Sequence, residues 1–124
     1  MTIPFSPVEA LNLWRGAIVE SVRRDGPDLS ARQMALLLTV YLTPPPHTVR
    51  GLAATLNISK PAITRALDRL SELDMIKRKV DETDRRSVLV QRTVKGSVFL
   101  REFGDLIVAT SKTSGEGAAE GPAA

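Results

Sequence analysis

With 124 residues, 43% of them hydrophobic, and a formal net charge of +3, the chain has the size of one soluble domain. Because it contains no Cys and one His, it cannot form a disulfide, a thiolate nucleophile or a His-cluster metal site, and we expect no cofactor. It has neither an apolar run near the about 20 residues that span a bilayer nor a secretory signal, so we expect a cytoplasmic protein without membrane contact.

The first predicted helix begins after Ser6, where a Ser cap, Pro7 in the first turn and Glu9 at the capping-box position agree. It runs to about Arg24 and is stopped by an Asp-Gly-Pro sequence. Residues at helical spacing make one apolar stripe, and we interpret Trp14 on it as a core or subunit-contact residue rather than a ligand platform. The stripe consists of Val8, Leu11, Trp14, Ile18 and Val22.

The second predicted helix begins after Ser30, with Gln33 in the capping-box position. Apolar residues occupy nearly its whole circumference, which indicates a central, buried helix. The three prolines at 44–46 end it, because proline cannot continue a helix. His47 follows in the connection, where we interpret it as a surface loop residue; a pH-sensitive group is the alternative.

The next two helices predict a helix-turn-helix. Thr48 caps a short third helix, and Asn57, which tolerates the left-handed conformation, occupies the turn. The fourth helix covers residues 59–73, with Ser59 as its cap and Pro61 in its first turn. An apolar stripe lies opposite a polar, partly basic face, an arrangement that suits entry into the DNA major groove. That face carries Pro61, Thr64, Arg65, Asp68 and Glu72, whose two acidic members restrict DNA contact to the N-terminal half.

Two short strands with a charged loop between them are predicted after the fourth helix. Residues 76–80 and 87–91 are rich in β-branched side chains, and the loop spans residues 81–86. Asp84 is placed to pair locally with Arg85 or Arg86 and hold the shape of the loop. Two arginines at the tip of a hairpin that follows a helix-turn-helix favour contact with phosphates or the minor groove over an ordinary solvated turn.

The last predicted helix begins after Thr93 and runs from Val94 to about Ala109. Its apolar residues cover about 200° of its circumference, more than one small domain normally buries, so we expect a second copy of the chain to cover part of it. Residues 111–124 lack apolar periodicity, and we predict that they form a disordered tail behind a domain of residues 1–110. The residues assigned to dimerisation are Leu11, Trp14, Phe99, Phe103, Leu106 and Ile107.

Charge is unevenly distributed along the chain. From Thr48 to Arg101 there are 12 Lys or Arg against 6 Asp or Glu, whereas the rest of the chain is net acidic. A basic segment that contains a helix-turn-helix is typical of nucleic-acid binding, since neutralised phosphates release counterions. The alternative is a solvated basic face without a partner.

The element order α-α-α-α-β-β-α predicts a mainly α fold with a small β-hairpin wing, a winged helix-turn-helix. At the level of residues the chain resembles the MarR family of bacterial regulators. A D-x-x-D-R-R wing at this distance from an S-K-P-x-x-T-R helix is fairly specific, although either piece alone is weak. Asp74 stands where the family often has Gly. The matching pieces are Leu52-Ala53, Ser59-Lys60-Pro61-Ala62-Ile63-Thr64-Arg65, Leu67-Asp68-Arg69-Leu70, Asp81-Glu82-Thr83-Asp84-Arg85-Arg86 and Arg92-Thr93-Val94-Lys95-Gly96.

The resemblance implies a homodimeric, sequence-specific regulator, expected to be a repressor, that reads a pseudo-palindromic site in double-stranded DNA. By match of position, residues 59–61, Thr64 and Arg65 would approach the major groove, and the wing arginines would contact the backbone or minor groove, with Asp84 bracing the wing. A small-molecule effector is compatible with this resemblance but is not indicated. The candidate DNA-binding residues are Thr48, Arg50, Ser59, Lys60, Pro61, Thr64, Arg65, Arg69, Lys77, Arg85 and Arg86.

Two other functions remain as alternatives. The first is a winged-helix module that holds a protein partner, since the fold does not dictate function. Against it, Lys60 and Arg65 occupy a recognition face that is not an apolar patch. The second is an enzyme, but the carboxylates of Asp81 and Asp84 lie on a polar loop with no cleft implied, and isolated glycines make no phosphate-binding loop. We therefore assign no catalytic residue.

Overall fold

A computed structural model describes the backbone of residues 5–119 and the side chains of residues 5–112. The described chain forms two units, of which one is Leu29–Leu100 and the other combines the first helix with the last helix beyond Leu100. The order confirms the predicted mainly α winged helix-turn-helix and adds one short strand, β1. The elements are α1 Pro7–Arg23, α2 Ala31–Leu42, β1 His47–Thr48, α3 Val49–Leu56, α4 Lys60–Glu72, β2 Ile76–Asp81, β3 Asp84–Arg92 and α5 Val94–Ala119.

Side-chain caps begin the helices where the sequence predicts. Ser6 and Ser30 each accept a hydrogen bond from the backbone N–H three residues on, and the side chains of Glu9 and Gln33 accept one in return from the cap. Asn57 ends α3 at a φ of 54°, in the left-handed conformation expected for the turn. These interactions are local, which explains why the sequence alone predicts the helix starts.

One apolar core holds the Leu29–Leu100 unit together. Leu36 and Leu37 of α2 are fully buried, but Ala35 and Leu42 of the same helix are exposed, so α2 is buried on one side and not all round as its sequence predicts. Burying a large side chain contributes about 1.5–3 kcal/mol, so the apolar stripe of α4 strongly resists rotation of this helix. The buried members of the core are Leu36, Leu37, Val40, Leu52, Ile63, Ala66, Leu67, Leu70, Met75, Ile76 and Val90.

The strands form one antiparallel sheet in the order β1-β3-β2. β1 pairs His47 with Val90 and Thr48 with Leu89. His47, which we expected in a surface loop, therefore lies on an edge strand and is half-buried, with its Nε2 3.1 Å from the carbonyl oxygen of Thr43. Two residues are too few for an alternating pattern, so the sequence does not reveal this strand.

The hairpin is tighter than the loop predicted over residues 81–86. Only residues 82–83 form the turn, and residues 84–86 belong to β3. The turn is closed by Asp81, whose Oδ1 accepts hydrogen bonds from the backbone N (3.0 Å) and the Oγ1 (2.7 Å) of Thr83. A run of charged residues indicates exposure but does not indicate where a strand ends, and this correction places both wing arginines on a strand.

In the other unit, α1 packs against α5 through the side opposite its apolar stripe. Ala17 is fully buried, and a Cβ at Gly16 would collide with the methyl group of Thr110 on α5. The stripe itself, Val8, Leu11, Trp14, Ile18 and Val22, is exposed throughout. Trp14 is therefore not part of the core that the described residues form, and its interpretation as a subunit contact stays a prediction.

α5 continues to Ala119, past the end predicted at about Ala109. The predicted disordered tail thus overlaps helix over residues 111–119, while residues 120–124 lie outside the described residues. No proline stands in this segment before Pro122, so a loss of apolar periodicity did not by itself mark the end of the helix. Among the described helices, none combines the length and the apolarity needed to cross a bilayer.

Candidate nucleic-acid interface

α4 presents a polar face to solvent at its N-terminal end. Ala62, Ile63, Ala66, Leu67 and Leu70 make up its buried side. Because the stripe holds the rotation of the helix, the opposite side chains face outward in a defined arc. The exposed residues of this arc include all five that sequence reasoning placed in the major groove: Ser59, Lys60, Pro61, Thr64 and Arg65.

The start of α4 is suited to negative charge. The Oγ of Ser59 accepts a hydrogen bond from the backbone N–H of Ala62 at 3.3 Å, and Pro61 in the first turn has no N–H to satisfy. The first-turn dipole is positive, and no acidic residue of the first turn opposes it. Lys60 adds a full positive charge at the same end, which favours an approaching phosphate.

The C-terminal half of α4 is partly neutralised by ion pairs. Asp68 Oδ1 lies 2.8 Å from Arg78 Nη1, which links α4 to β2, and Arg69 Nη1 lies 3.9 Å from Glu72 Oε2. Arg69 is one of the predicted DNA contacts, yet its nearest ionic partner is on its own helix. Exposed pairs of this kind are weak, so Arg69 remains free to exchange partners. The half of the helix that carries unpaired cationic side chains is the N-terminal half, as expected from the sequence.

α3 contributes two predicted contacts of different character. Thr48 is half-buried and its Oγ1 accepts a hydrogen bond from the N–H of Gly51 at 3.0 Å. The cap therefore uses that oxygen, which leaves the hydroxyl proton for an outside acceptor. Arg50 is exposed and has the reach of a phosphate ligand.

Both wing arginines are exposed. The Arg86 side chain is 94% exposed, and its Nε lies 3.8 Å from Asp84 Oδ1. The same Asp84 oxygen accepts a hydrogen bond from the backbone N–H of Arg86 at 3.2 Å, a local contact of the kind predicted for a brace. Arg85, also exposed, precedes Arg86 on the strand, and neighbouring strand residues point to opposite faces. One arginine per face lets the wing tip contact a phosphate from either side.

The carboxylate of Asp81 is stabilised in its charged form. Its pKa is lowered below the ordinary value, chiefly by the hydrogen bond from the Thr83 hydroxyl and then by the bond from the Thr83 backbone. A lowered pKa in the folded state means that this contribution to the turn is present above the ordinary pKa and is lost as pH falls through the lowered one. The turn that presents the arginines is therefore charged at neutral pH.

β2 carries more positive charge than sequence reasoning assigned to the site. Lys77, a predicted contact, is exposed and pairs with Gln91 across the sheet. Lys79 is exposed two positions further along, and residues two apart share a face of a strand, so Lys77 and Lys79 point the same way. Lys79 was missed, although period-two spacing in a predicted strand is the signal that identifies it. Arg78, between them, is the partner of Asp68.

The residues assigned to dimerisation do not form one surface. Leu11 and Trp14 on α1 are 67% and 51% exposed, whereas Phe103 and Leu106 on α5 are only 8% and 4% exposed in the single chain. Phe99 packs against the core of the Leu29–Leu100 unit. Ile107 is half-buried. Of the residues predicted to mediate dimerisation, the clearly exposed ones are therefore Leu11 and Trp14 of α1.

Within the side chains that the structure describes, no group of three or more His, Asp or Glu residues is arranged to hold a metal ion.

A capped helix with an exposed basic N-terminal half, a short helix before it and an arginine-bearing β-hairpin after it define the winged helix-turn-helix class of DNA-binding proteins.

Comparison with known proteins gives the same class. The model of the MarR family matches residues 28–87. MepR from S. aureus, in its complex with DNA, is 19% identical with a TM-score of 0.68, and the match covers 90% of this chain and 86% of that chain. BldR, a transcriptional regulator from Sulfolobus solfataricus, is 26% identical with a TM-score of 0.59 over 85% of this chain and 81% of that chain. CouR, a transcriptional repressor bound to a 23-mer DNA duplex, is 24% identical with a TM-score of 0.66 over 84% of this chain and 70% of that chain.

Over residues 28–87 and in its fold, the chain is similar to the MarR family of winged-helix transcriptional regulators. The family model ends within β3 and therefore spans the helix-turn-helix and the turn of the wing. This protein is accordingly a DNA-binding transcriptional regulator.

Proposed function

We propose that this protein is a repressor that binds a pseudo-palindromic site in double-stranded DNA as a homodimer. The observation that carries the proposal is the exposed N-terminal half of α4, where Lys60 and Arg65 project from a helix whose other side is buried. In this proposal Arg65 and Thr64 reach base edges in the major groove, and Ser59 and Lys60 contact phosphates. Arg85 and Arg86 bring the wing to the adjacent backbone or minor groove.

The homodimer is supported by the exposed stripe of α1. Five apolar side chains on one helix face, among them Trp14 and Leu11, are exposed among the residues that the structure describes. Contiguous apolar surface of this kind marks an interaction site. A two-fold dimer also presents two copies of α4, and half-sites about 10 base pairs apart would then make the operator a pseudo-palindrome. The MepR–DNA and CouR–DNA structures support DNA as the ligand of the fold.

The proposed activity is binding, and it assigns no catalytic residue. Repression requires that the protein occupy a site that transcription must use, which needs affinity and specificity rather than chemistry. Its proposed location is the cytoplasm, because DNA is the proposed ligand. A small-molecule effector is compatible with the family but forms no part of the proposal.

Selection of bound sequences from random duplex DNA, followed by fluorescence anisotropy on the selected site, tests the proposal. Arg65→Ala should cost about 1–3 kcal/mol on the selected site and relax specificity at one position, because a base contact is lost. Arg86→Ala should weaken binding to all sequences alike and reduce the slope of log affinity against log salt by about 1, because a phosphate contact is lost.

Arg32→Ala is the matched control, since it removes the same charge from an exposed position outside the helix-turn-helix and wing. It should retain the affinity of the parent. If Arg65→Ala and Arg86→Ala also bind as the parent does in moderate salt, the proposed interface is wrong. Absence of any retention on DNA at low salt would instead support the module that holds a protein partner.

A further inference from the structure

We propose that Tyr41 is a positioning residue for DNA binding, which sets the orientation of the wing relative to α4. Its hydroxyl and the neighbouring Arg92 join three backbone segments: the end of α2, the turn after α4 and the base of the wing. We call this cluster, Tyr41, Asp74, Met75, Arg92 and Thr93, the Tyr41 hub. The inference rests on the proposed function, since the arginines it positions are those proposed to contact DNA.

The Tyr41 hydroxyl bridges the two elements of the proposed interface. It donates a hydrogen bond to the carbonyl oxygen of Met75 at 2.6 Å, immediately before β2 begins. It accepts one from the backbone N–H of Thr93 at 2.9 Å, immediately after β3 ends. Both bonds are part-buried and span 34 and 52 residues of sequence. Since both strands of the wing start or end at this oxygen, it holds the base of the hairpin closed.

Thr93 extends the connection to the turn that ends α4. Its Oγ1 donates a hydrogen bond to the carbonyl oxygen of Asp74 at 2.7 Å and accepts one from the N–H of Gly96 at 3.0 Å. Asp74 has a φ of 58°, so the orientation of its backbone differs from that of a residue in the right-handed helical conformation. The residue that follows β3 is thus connected to the turn after α4 by two side chains, that of Thr93 and that of Tyr41.

Arg92 holds the tyrosine from the other side. Its Nε donates to the carbonyl oxygen of Val40 at 2.9 Å and its Nη2 to that of Thr43 at 3.0 Å, so it caps the end of α2. Its guanidinium carbon also lies 5.8 Å from the centroid of the Tyr41 ring. The ring is therefore oriented by a residue of β3 itself, and the two residues fix each other.

A small change in the orientation of the wing at its base produces a large displacement of Arg86 at its tip. Arg86 lies six residues from Arg92 along β3, and a strand rises about 3.3 Å per residue, so the tip is about 20 Å from the hub. A tilt of about 10° at the base would displace the tip by about 3.5 Å, more than a hydrogen bond to a phosphate tolerates. The exposed pair of Asp68 and Arg78 also joins α4 to β2, but such pairs are weak compared with part-buried hydrogen bonds.

Tyr41→Phe tests the inference, because it removes the hydroxyl and keeps the ring beside Arg92. We expect the affinity for the selected DNA site to fall about fivefold to twentyfold with the fold retained. We also expect Arg86→Ala to cost less in the Tyr41→Phe background than in the parent, since a misplaced wing has already lost that contact. Thr39→Val is the control: it deletes a hydroxyl on the same helix that bonds only to Ala35 of that helix.

A structural readout that needs no DNA completes the test. Residual dipolar couplings of the backbone amides should show the wing reoriented or averaged relative to α4 in Tyr41→Phe but not in Thr39→Val. If Tyr41→Phe proves unstable, Thr93→Val removes the bond to Asp74, and Thr93→Ser should restore the parental couplings. Unchanged couplings, or fully additive effects of Tyr41→Phe and Arg86→Ala on binding, would overturn the positioning role. If the parent protein binds no DNA while Tyr41→Phe still shows these coupling changes, the proposed function is overturned and the structural role of the Tyr41 hub stands.

Discussion

Gly96, in the first turn of α5, has the least room for a side chain among the glycines that the structure describes. A Cβ there would overlap the hydroxyl of Tyr41 and the carbonyl oxygen of Met75. Neither atom can retreat easily, because the two are hydrogen-bonded to each other and one belongs to the backbone. Because Gly96 has no side chain, α5 can begin in close contact with the Tyr41 hub.

Gly96→Ala should therefore destabilise the protein by about 2–3 kcal/mol, as expected for overpacking against groups that cannot move. Urea unfolding followed by circular dichroism measures the change. Gly104→Ala is the matched control on the same helix, where nothing lies within 4 Å of the added carbon. There alanine should stabilise the helix by about 0.5–1 kcal/mol. Equal effects at the two positions would show that the contacts around Gly96 are not restrictive.

Single residues are also where sequence reasoning succeeded and failed most clearly. Ser59 and Asn57 were placed correctly, because a cap and a left-handed turn depend on neighbours three or four residues away. Tyr41 and Arg92 were not recognised as polar anchors, because their partners are 34 to 52 residues distant and carry no motif. Backbone carbonyls are present in every residue, so a bond to one leaves no trace in sequence.

Among the elements, α4 depends on the turn that ends it. Asp74 follows the helix at a φ of 58°. This left-handed conformation costs most L-residues about 1–2 kcal/mol relative to glycine, and it costs Asn and Asp less. The chain must reverse there so that β2 can start at Ile76, and so the conformation is imposed by the fold. The helix end is thus a place where the native residue is tolerated rather than optimal.

Asp74→Gly should raise the free energy of unfolding by about 0.5–1 kcal/mol, because glycine adopts the left-handed region without strain. Asp74→Ala should lower it by about 1 kcal/mol, since its Cβ is penalised there without the local hydrogen bonding of Asp. Thermal and urea unfolding of the three proteins gives the order. If alanine proves as stable as glycine at this position, the positive φ does not limit stability. The carbonyl oxygen that binds Thr93 is retained in both variants.

The wing shows how an element can be predicted while its shape is not. The two strands were expected from β-branched residues at 76–80 and 87–91, and both are present with longer bounds. The charged residues between them read as a loop because charge indicates solvent, whichever secondary structure carries it. The hydrogen bonds of Asp81 to Thr83 shorten the turn to two residues and convert the loop into strand.

At the scale of the whole molecule, the stripe of α1 is an exposed apolar surface on the part of the chain that the structure describes. In an isolated chain, Leu11 and Val8 would each keep 67% of their surface in water. Exposed apolar area on one helix face is an unfavourable arrangement unless a partner covers it. The proposed dimer provides that partner and pairs the two recognition helices.

Leu11→Glu should therefore shift the protein from dimer to monomer, because it places a charge in the centre of the apolar stripe. Sedimentation velocity measures the mass, and affinity for the full pseudo-palindrome should fall far more than affinity for a half-site. Asn12→Glu introduces the same charge at a neighbouring exposed position outside the stripe and should remain dimeric. A Leu11→Glu protein that sediments as the parent does would contradict α1 as the dimer contact.

The sequence by itself determined the order of the five helices and the two wing strands, the helix starts, the buried side of α4 and the resemblance to the MarR family. These depend on caps, on helical periodicity and on a wing sequence at a set distance from a helix sequence, all of which are local or nearly so. From them the candidate DNA-binding residues followed, and the exposure of Lys60, Arg65 and Arg86 agrees with that assignment.

Tertiary structure alone decided which face of α1 is buried, where β1 pairs and how the wing is held. Periodicity shows that α1 has an apolar stripe but cannot say whether that stripe meets its own chain or another, since burial has the same pattern in both cases. Here close packing at Gly16 and Ala17 brings the opposite face against α5. The Tyr41 hub likewise exists only when distant backbone groups converge, because hydrogen bonds across 34 to 52 residues are made by the fold and not by neighbouring sequence.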